Sequence, residues 1–385
     1  MNVTGVEAIP VEVPLRPLTE PNGLAPYVMG TRDVGSGRKT LVRIDTDEGV
    51  TGWGEMNRIV SPSTAKAMIE TEVAPYAIGK SVTEIGRFLD EFEQPAFIEI
   101  DSITAGVEMA MWDALGKSLE VPVHQLFGGK RTDAVEFSYC VGILDVEDSV
   151  ERVRSAKEQG FTTVKTKAGG YADGAGRDVV GEPRTWQTDV ERLTAMSEAV
   201  DGAIELRADP NQSLSVADTV RLAAALEDAG VYMQYFEQPI RTDNLGSYKR
   251  LRQRLRTPIA VNEELYRQRN FFELIREDAV DVGVIDLVAA GGLLPMKRLA
   301  SVAEEADIPL AHHCGFDLGI KTAAILHAVS TTPAISLPSD TVYYALEEDV
   351  LETPFEFEKG CISVPDGPGL GVEVDEAIIE KYRIE

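Results

Sequence analysis

Residues 162–169 read TTVKTKAG, 204–210 read IELRADP, 233–239 read MQYFEQP and 258–264 read PIAVNEE. Each is a short apolar run that ends in polar or acidic residues. Between them lie stretches with apolar residues at helical spacing, such as SVADTVRLAAALEDAG (215–230). The alternation extends both ways, with VEFSYCVG (135–142) before it and DVGVIDLV (281–288), IPLAHHC (308–314) and PAISLP (333–338) after it. Eight strand signals with intervening helices predict a (β/α) barrel with irregular last elements. A doubly wound open sheet is the competing arrangement, but no G-x-G-x-x-G follows the first strand to support a dinucleotide site.

The N-terminal third has a different rhythm. VEAIPVEVPL (6–15) alternates in part, and KTLVRIDTDEGVTGWGE (39–55) reads as a hairpin turning at Asp47-Glu48-Gly49. Helical patterns over 62–94 and 103–119 follow. Strands and then helices predict a small α+β domain ending near Gly128-Gly129. The 385 residues therefore divide into an α+β capping domain over 1–130, a barrel over 131–338 and a segment over 339–385 that returns to pack on the capping domain. The polar, Gly-rich 168–185, directly after one strand, is a candidate lid or substrate loop.

The charge narrows the partners. Lys+Arg is 37 against 64 Asp+Glu, a formal charge of −27. Such a surface repels nucleic-acid phosphates and anionic membranes. The acids are dispersed and Arg outnumbers Lys, as in the cytosolic proteins of halophiles. No run of eighteen apolar residues predicts a membrane span, and the start MNVTGVEAIPVEVP lacks the basic and apolar regions of a signal peptide. Three cysteines (Cys140, Cys314 and Cys361) show no close-spaced pattern and read as reduced thiols of a cytoplasmic protein.

Chemistry gathers at the C-terminal ends of the predicted barrel strands, where active sites of this architecture are built. Asp209 ends IELRAD, Glu237 ends MQYFE, and Asn262-Glu263 end PIAVNE. Like charges cannot share a dry site unless a cation or protons neutralise them, and hard oxygen donors suit Mg²⁺ better than Zn²⁺. Singly, each acid could instead cap the following helix. Lys165 and Lys167 stand two residues apart on one strand and so point to one face. Two adjacent cations depress one another's pKa, which makes one a plausible neutral base. Asp286 and His313 end neighbouring strands and can form a carboxylate–imidazole dyad. Of His312 and His313 only one can face the lumen, and His312 reads as the core residue. His124 and His327 read as ordinary helix or loop positions. Asn211 either contacts substrate or caps the next helix.

The ordered set KTK, RADPN, FEQP, VNEE, Asp286 before Gly291-Gly292, and HH resembles the enolase superfamily, in particular its mandelate racemase and glucarate dehydratase branches. TGWGE (51–55), VPVHQLFGG (121–129) and the tail 353–375 also fit, so the resemblance spans nearly the whole chain. It implies a capping domain on a modified (β/α)7β barrel that binds one Mg²⁺ and removes the proton α to a carboxylate, through an enediolate. By motif position it makes Asp209 and Glu237 ligands and Lys167 a base on one face of the substrate. Lys165 holds down the pKa of Lys167 or contacts the substrate carboxylate, and the Asp286–His313 dyad is the acid/base on the other face. The third ligand is Glu263 or Asn262, with the full charge favouring Glu263. To the 168–185 loop the resemblance adds Leu18 to Asp33 as a second loop bearing on specificity.

The implied substrate is a small carboxylate, most naturally a sugar acid dehydrated to a 2-keto-3-deoxy acid, which would make the protein a lyase. HHCGFDLG is shorter than its glucarate dehydratase equivalent, which leaves a diacid substrate open. The alternative is racemisation or epimerisation. A muconate-type cycloisomerase fits less well because that branch has a lysine where this chain has Asp286. A non-catalytic barrel would have had no reason to keep the lysines, acids and dyad. Relatives of this kind assemble as homo-oligomers, so one is expected here.

The charge has a direct consequence for stability. Self-repulsion opposes the compact state, and salt screens it within a Debye length of about 3 Å at 1 M. The melting temperature should rise with KCl through the molar range. A flat or falling curve in calorimetry would contradict the halophilic reading.

Overall fold

The structure is a computed structural model. It describes residues 1–24, 27–29, 32–56, 61–93, 101–142, 144–169 and 185–385, with the backbone alone at 27–29, 32–34 and 101. Most of the 168–185 loop, and part of the loop from Leu18 to Asp33, lie outside the described residues.

The N-terminal domain carries strands β1 (Val3–Pro14), β2 (Tyr27–Met29), β3 (Arg32–Val34), β4 (Ser36–Thr46) and β5 (Thr51–Met56). β1, β4 and β5 form an antiparallel sheet, with β2 and β3 a separate hairpin. Helix Ala105–Ser118 lies against β5, and the glycines of TGWGE permit this. A Cβ on Gly52 would fall 2.1 Å from the Ala110 carbonyl oxygen, and one on Gly54 would fall 2.0 Å from that of Gly106.

The barrel strands are β6 (Ala134–Val141), β7 (Thr163–Lys167), β8 (Glu205–Asp209), β9 (Met233–Glu237), β10 (Ile259–Val261), β11 (Val282–Ile285), β12 (Leu310–His312) and β13 (Ser339–Thr341). They pair in parallel from β6 to β12, and β13 pairs with β6. Leu310 and Ile335 bridge the remaining gap, giving a nearly closed ring. Being buried on both faces, these strands read as continuous apolar runs rather than alternating ones. Seven helices, from Val146–Glu158 to Gly319–Ser330, alternate with the strands, matching the expected (β/α)7β pattern. The eighth strand is displaced from expectation. The run PAISLP supplies only the bridge, and the paired strand is the polar Ser339–Thr341 that follows. The barrel therefore crosses the expected boundary at 338. Beyond it, β14 (Cys361–Ser363) pairs antiparallel with β6, while Glu347 and Ile384 reach back to the carbonyls of Pro14 and Pro10.

Two acids of the N-terminal domain cap barrel helices. Glu55 is fully buried and accepts from Leu318 N and Lys321 N, both at 2.9 Å, at the start of Gly319–Ser330. Glu108 accepts from Leu293 N and Leu294 N, both at 2.9 Å, at the start of Leu293–Glu305. These contacts satisfy orphan backbone donors and place negative charge at the positive end of each helix. Burial drives both carboxyls up to about 7, against the pull of their hydrogen bonds. Glu55→Ala strands two buried N–H groups and should cost about 3 kcal/mol, read as a lower urea midpoint at unchanged slope. An unchanged midpoint would mean that the cap is dispensable.

Candidate active site

β7 to β10 deliver the expected residues to the same end of the barrel. Lys165 and Lys167 both face in from β7 and line a cavity of about 370 Å³, together with Asn211, Glu263, Tyr266 and His313. Asp209 and Glu237 lie just beneath it, 0% and 1% exposed. Neither is a helix cap. The helix after β8 is capped by Ser215, and Asn244 stands at the start of the one after β9. Asp209 instead accepts from the backbone N–H of Asn211 at 3.0 Å. Asn211, Gln212 and Gln238, directly after these strand ends, have positive φ of 44°, 69° and 41°. Unusual backbone of this kind concentrates at functional sites. Gln238 ties β9 to β10 by accepting from Asn262 N at 3.0 Å, which brings the ends of the two strands together.

The lysines are held by carboxylates. Lys165 Nζ lies 2.7 Å from Glu237, 2.8 Å from Asp340 and 3.6 Å from Asp209. Lys167 Nζ lies 2.6 Å from Asp209 and donates to Asn211 Oδ1 at 2.5 Å. Burial opposes the charge on Lys165, but Asp340, Glu237 and Asp209 outweigh it and hold the ammonium well above the usual lysine range. For Lys165, repulsion from Lys167 is therefore not the dominant effect. The sequence reading counted only the neighbour on the strand, whereas three cross-strand acids dominate. Burial likewise opposes charge on Asp209, yet Lys167 and Lys165 hold its carboxyl low. Glu237 is pushed up to about 7, first by burial and then, against Lys165, by Asp209 and Asp340. Glu263 is raised by burial and by Asp209.

The donor set has unfilled capacity for a cation. Among the described residues no three acidic, histidine or cysteine side chains form a preassembled metal cage; the lysine ammonium groups stand between the acids. The buried Oε2 of Glu263 nevertheless lacks a hydrogen-bond partner, whereas that of Glu237 is taken by Lys165 at 2.7 Å. A hard cation would satisfy such an oxygen. Asn262 differs: its Nδ2 donates to the Val284 carbonyl at 2.8 Å and its Oδ1 accepts from Tyr266 at 3.1 Å.

His313 lines the same cavity, and its Nδ1 faces Asp286 Oδ2 at 3.4 Å, with the side chain 18% exposed. His312 points away and is fully buried. Its Nε2 accepts from Leu287 N at 3.2 Å, and burial lowers it to about 4, so the ring is neutral core. His327 is also core, and its Nδ1 accepts from the backbone of His124. The three cysteines are unpaired with one another.

Several site residues escaped the sequence reading. Asp340 holds Lys165 from β13 and is itself held by Arg207 at 3.1 Å and Ser138 at 2.7 Å. Tyr266 and Phe316 line the cavity mouth, and Phe316 has a positive φ of 65°. Lys321 contacts Asp286 from behind. Asp340 carried one usable signal, an acid at the end of a strand, but the apolar run before it drew the strand assignment upstream.

Comparison with known proteins places this geometry. A family model described as the mandelate racemase / muconate lactonizing enzyme N-terminal domain matches residues 13–128, and one described as enolase C-terminal domain-like matches 148–378. The D-xylonate dehydratase of Haloferax volcanii is 31% identical over 90% of this chain and 85% of its own. The L-Ala-D/L-Glu epimerase of Bacillus subtilis is 26% identical over 97% of each. The crystal structure of an isomerase from Streptomyces coelicolor superposes with a TM-score of 0.82 at 31% identity, covering 99% of this chain and 98% of that one. With both halves matched and the acids, lysines and dyad in register around one cavity, the chain belongs to the mandelate racemase / muconate lactonizing enzyme family of the enolase superfamily.

Proposed function

We propose that the protein dehydrates a sugar acid to a 2-keto-3-deoxy acid. The observation that carries this reading is that His313, backed by Asp286, lines the same cavity as Lys165, Lys167 and Glu263. The 31% identity to a D-xylonate dehydratase supports the substrate class. Asp209, Glu237 and Glu263 would hold Mg²⁺, with Glu263 preferred to Asn262 because its Oε2 is unpartnered whereas the Asn262 amide is engaged. When bound, the ion supplies positive charge for the carboxylate oxygens on which negative charge builds as the α proton leaves. Lys165, pinned by three acids, adds fixed positive charge beside them. Lys167, donating to Asp209 and Asn211, is placed to contact the substrate carboxylate. Neutral His313 takes the α proton. As imidazolium it then returns a proton to the β-hydroxyl, which leaves as water, because hydroxide is a poor leaving group without an acid. Tautomerisation of the enol gives the keto acid.

A second reading, 1,1-proton transfer, draws on the same arrangement, with Lys167 and His313 both lining one cavity. A screen of sugar acids for keto product, run with Mg²⁺ and high salt, separates the two. His313→Asn should abolish keto-acid formation and also exchange of the α hydrogen with D₂O. Exchange that persists in His313→Asn and disappears in Lys167→Ala would make Lys167 the α base. Dehydration by His313→Asn at near the parent rate, or full activity in excess chelator, would contradict the proposal.

A further inference from the structure

Lys321 sits in the apolar first turn of helix Gly319–Ser330 and is fully buried. Its Nζ bridges two acids from different elements, 2.8 Å from Asp286 Oδ2 beyond β11 and 2.9 Å from Asp317 Oδ1 beyond β12. Asp286 Oδ2 is also the oxygen that faces His313 Nδ1 at 3.4 Å, so one oxygen serves an ammonium and an imidazole together. Its other oxygen accepts from Val288 N at 2.8 Å and Ala289 N at 3.1 Å. Asp317 in turn contacts Lys39 at 3.3 Å, and Lys39 donates to the Gly315 carbonyl at 2.6 Å. The ladder Lys39–Asp317–Lys321–Asp286 therefore grips both the partner of the His313 ring and the backbone turn that follows it.

We infer that Lys321 is a positioning residue for His313: it fixes the Asp286 carboxylate against the ring and offsets the charge with which that carboxylate would retain a proton there. A bare carboxylate beside an imidazole favours the charged ring. A full positive charge on the same oxygen works against that effect, and a buried lysine is too costly to stand there without its two acids. The other groups that face His313 are His312 on its own strand, Glu237 from β9 and Glu263 after β10. The consequence is an imidazolium that yields its proton to a departing hydroxyl more readily than one beside an uncompensated acid. That catalytic consequence rests on the proposed acid role of His313, but the electrostatic one does not.

The test therefore uses no substrate. The chain has four histidines, so the ring signals of the ¹⁵N-labelled full-length protein can be titrated individually with magnesium chloride present. In Lys321→Met the His313 midpoint should rise by about one pH unit, a tenfold gain in proton affinity. Lys321→Arg should hold it near the parent value. Asp317→Asn, which removes the acid that competes for Lys321, should move it the opposite way, downward. An unmoved midpoint in a folded Lys321→Met, judged by an unchanged circular dichroism spectrum and an unchanged His327 signal, would overturn the inference, as would an Arg variant that shifts as far as the Met variant. Should Lys321→Met fail to fold, the Asp317→Asn arm decides: a midpoint that stays or rises would overturn it.

Discussion

Charge compensation inside a closed barrel is the constraint on which this molecule turns. Asp209, Glu237 and Asp340 come from three strands to one place and are at most 2% exposed. Left alone, they could not all be ionised. Lys165 at their centre resolves this, with Arg207 behind Asp340 and Lys167 above Asp209. The compensation is incomplete at the cavity edge, where Glu237 and Glu263 have raised carboxyls and Glu263 Oε2 has no hydrogen-bond partner. A site that falls one cation short is suited to stabilising negative charge that develops on a bound carboxylate.

The same principle ties the two domains together. Glu55 and Glu108 cross from the N-terminal domain to cap barrel helices, and Lys39 crosses to Gly315 and Asp317. The backbone turn that follows His313 is thus held by side chains from another domain, which explains why TGWGE matters to a site it never touches. Its glycines admit a close helix, and its glutamate anchors the helix that carries Lys321.

Much of this was readable from the sequence because barrel strands are short, apolar and periodic, and functional side chains sit at their ends. Lys165, Lys167, Asp209, Glu237 and His313 were all placed by that rule, and the order of the strands made their convergence predictable. What escaped were contacts between residues distant in sequence. Glu55 caps a helix whose first bonded donor is 263 residues away, so no local capping pattern reveals it. Lys321 lies within GIKTAAILHAVS, where a single charge reads as a solvent-facing position; only the tertiary fold shows two acids waiting for it. The acids that hold Lys165 charged were hidden for the same reason: its strand neighbour is visible in the sequence, and its three cross-barrel acids are not. The eighth strand was misplaced because the apolar run preceding it is the stronger pattern, although the paired residues are the polar Ser339–Thr341.

The central claim is that the carboxylates ending β8, β9 and β10 form a cation site. Calorimetric titration of Mg²⁺ into the full-length protein tests it most directly. One saturable site per chain is predicted, lost in Glu237→Gln and in Glu263→Gln and retained in Asn262→Ala. No saturable binding to the parent protein, or binding untouched by the two glutamate substitutions, would contradict the account.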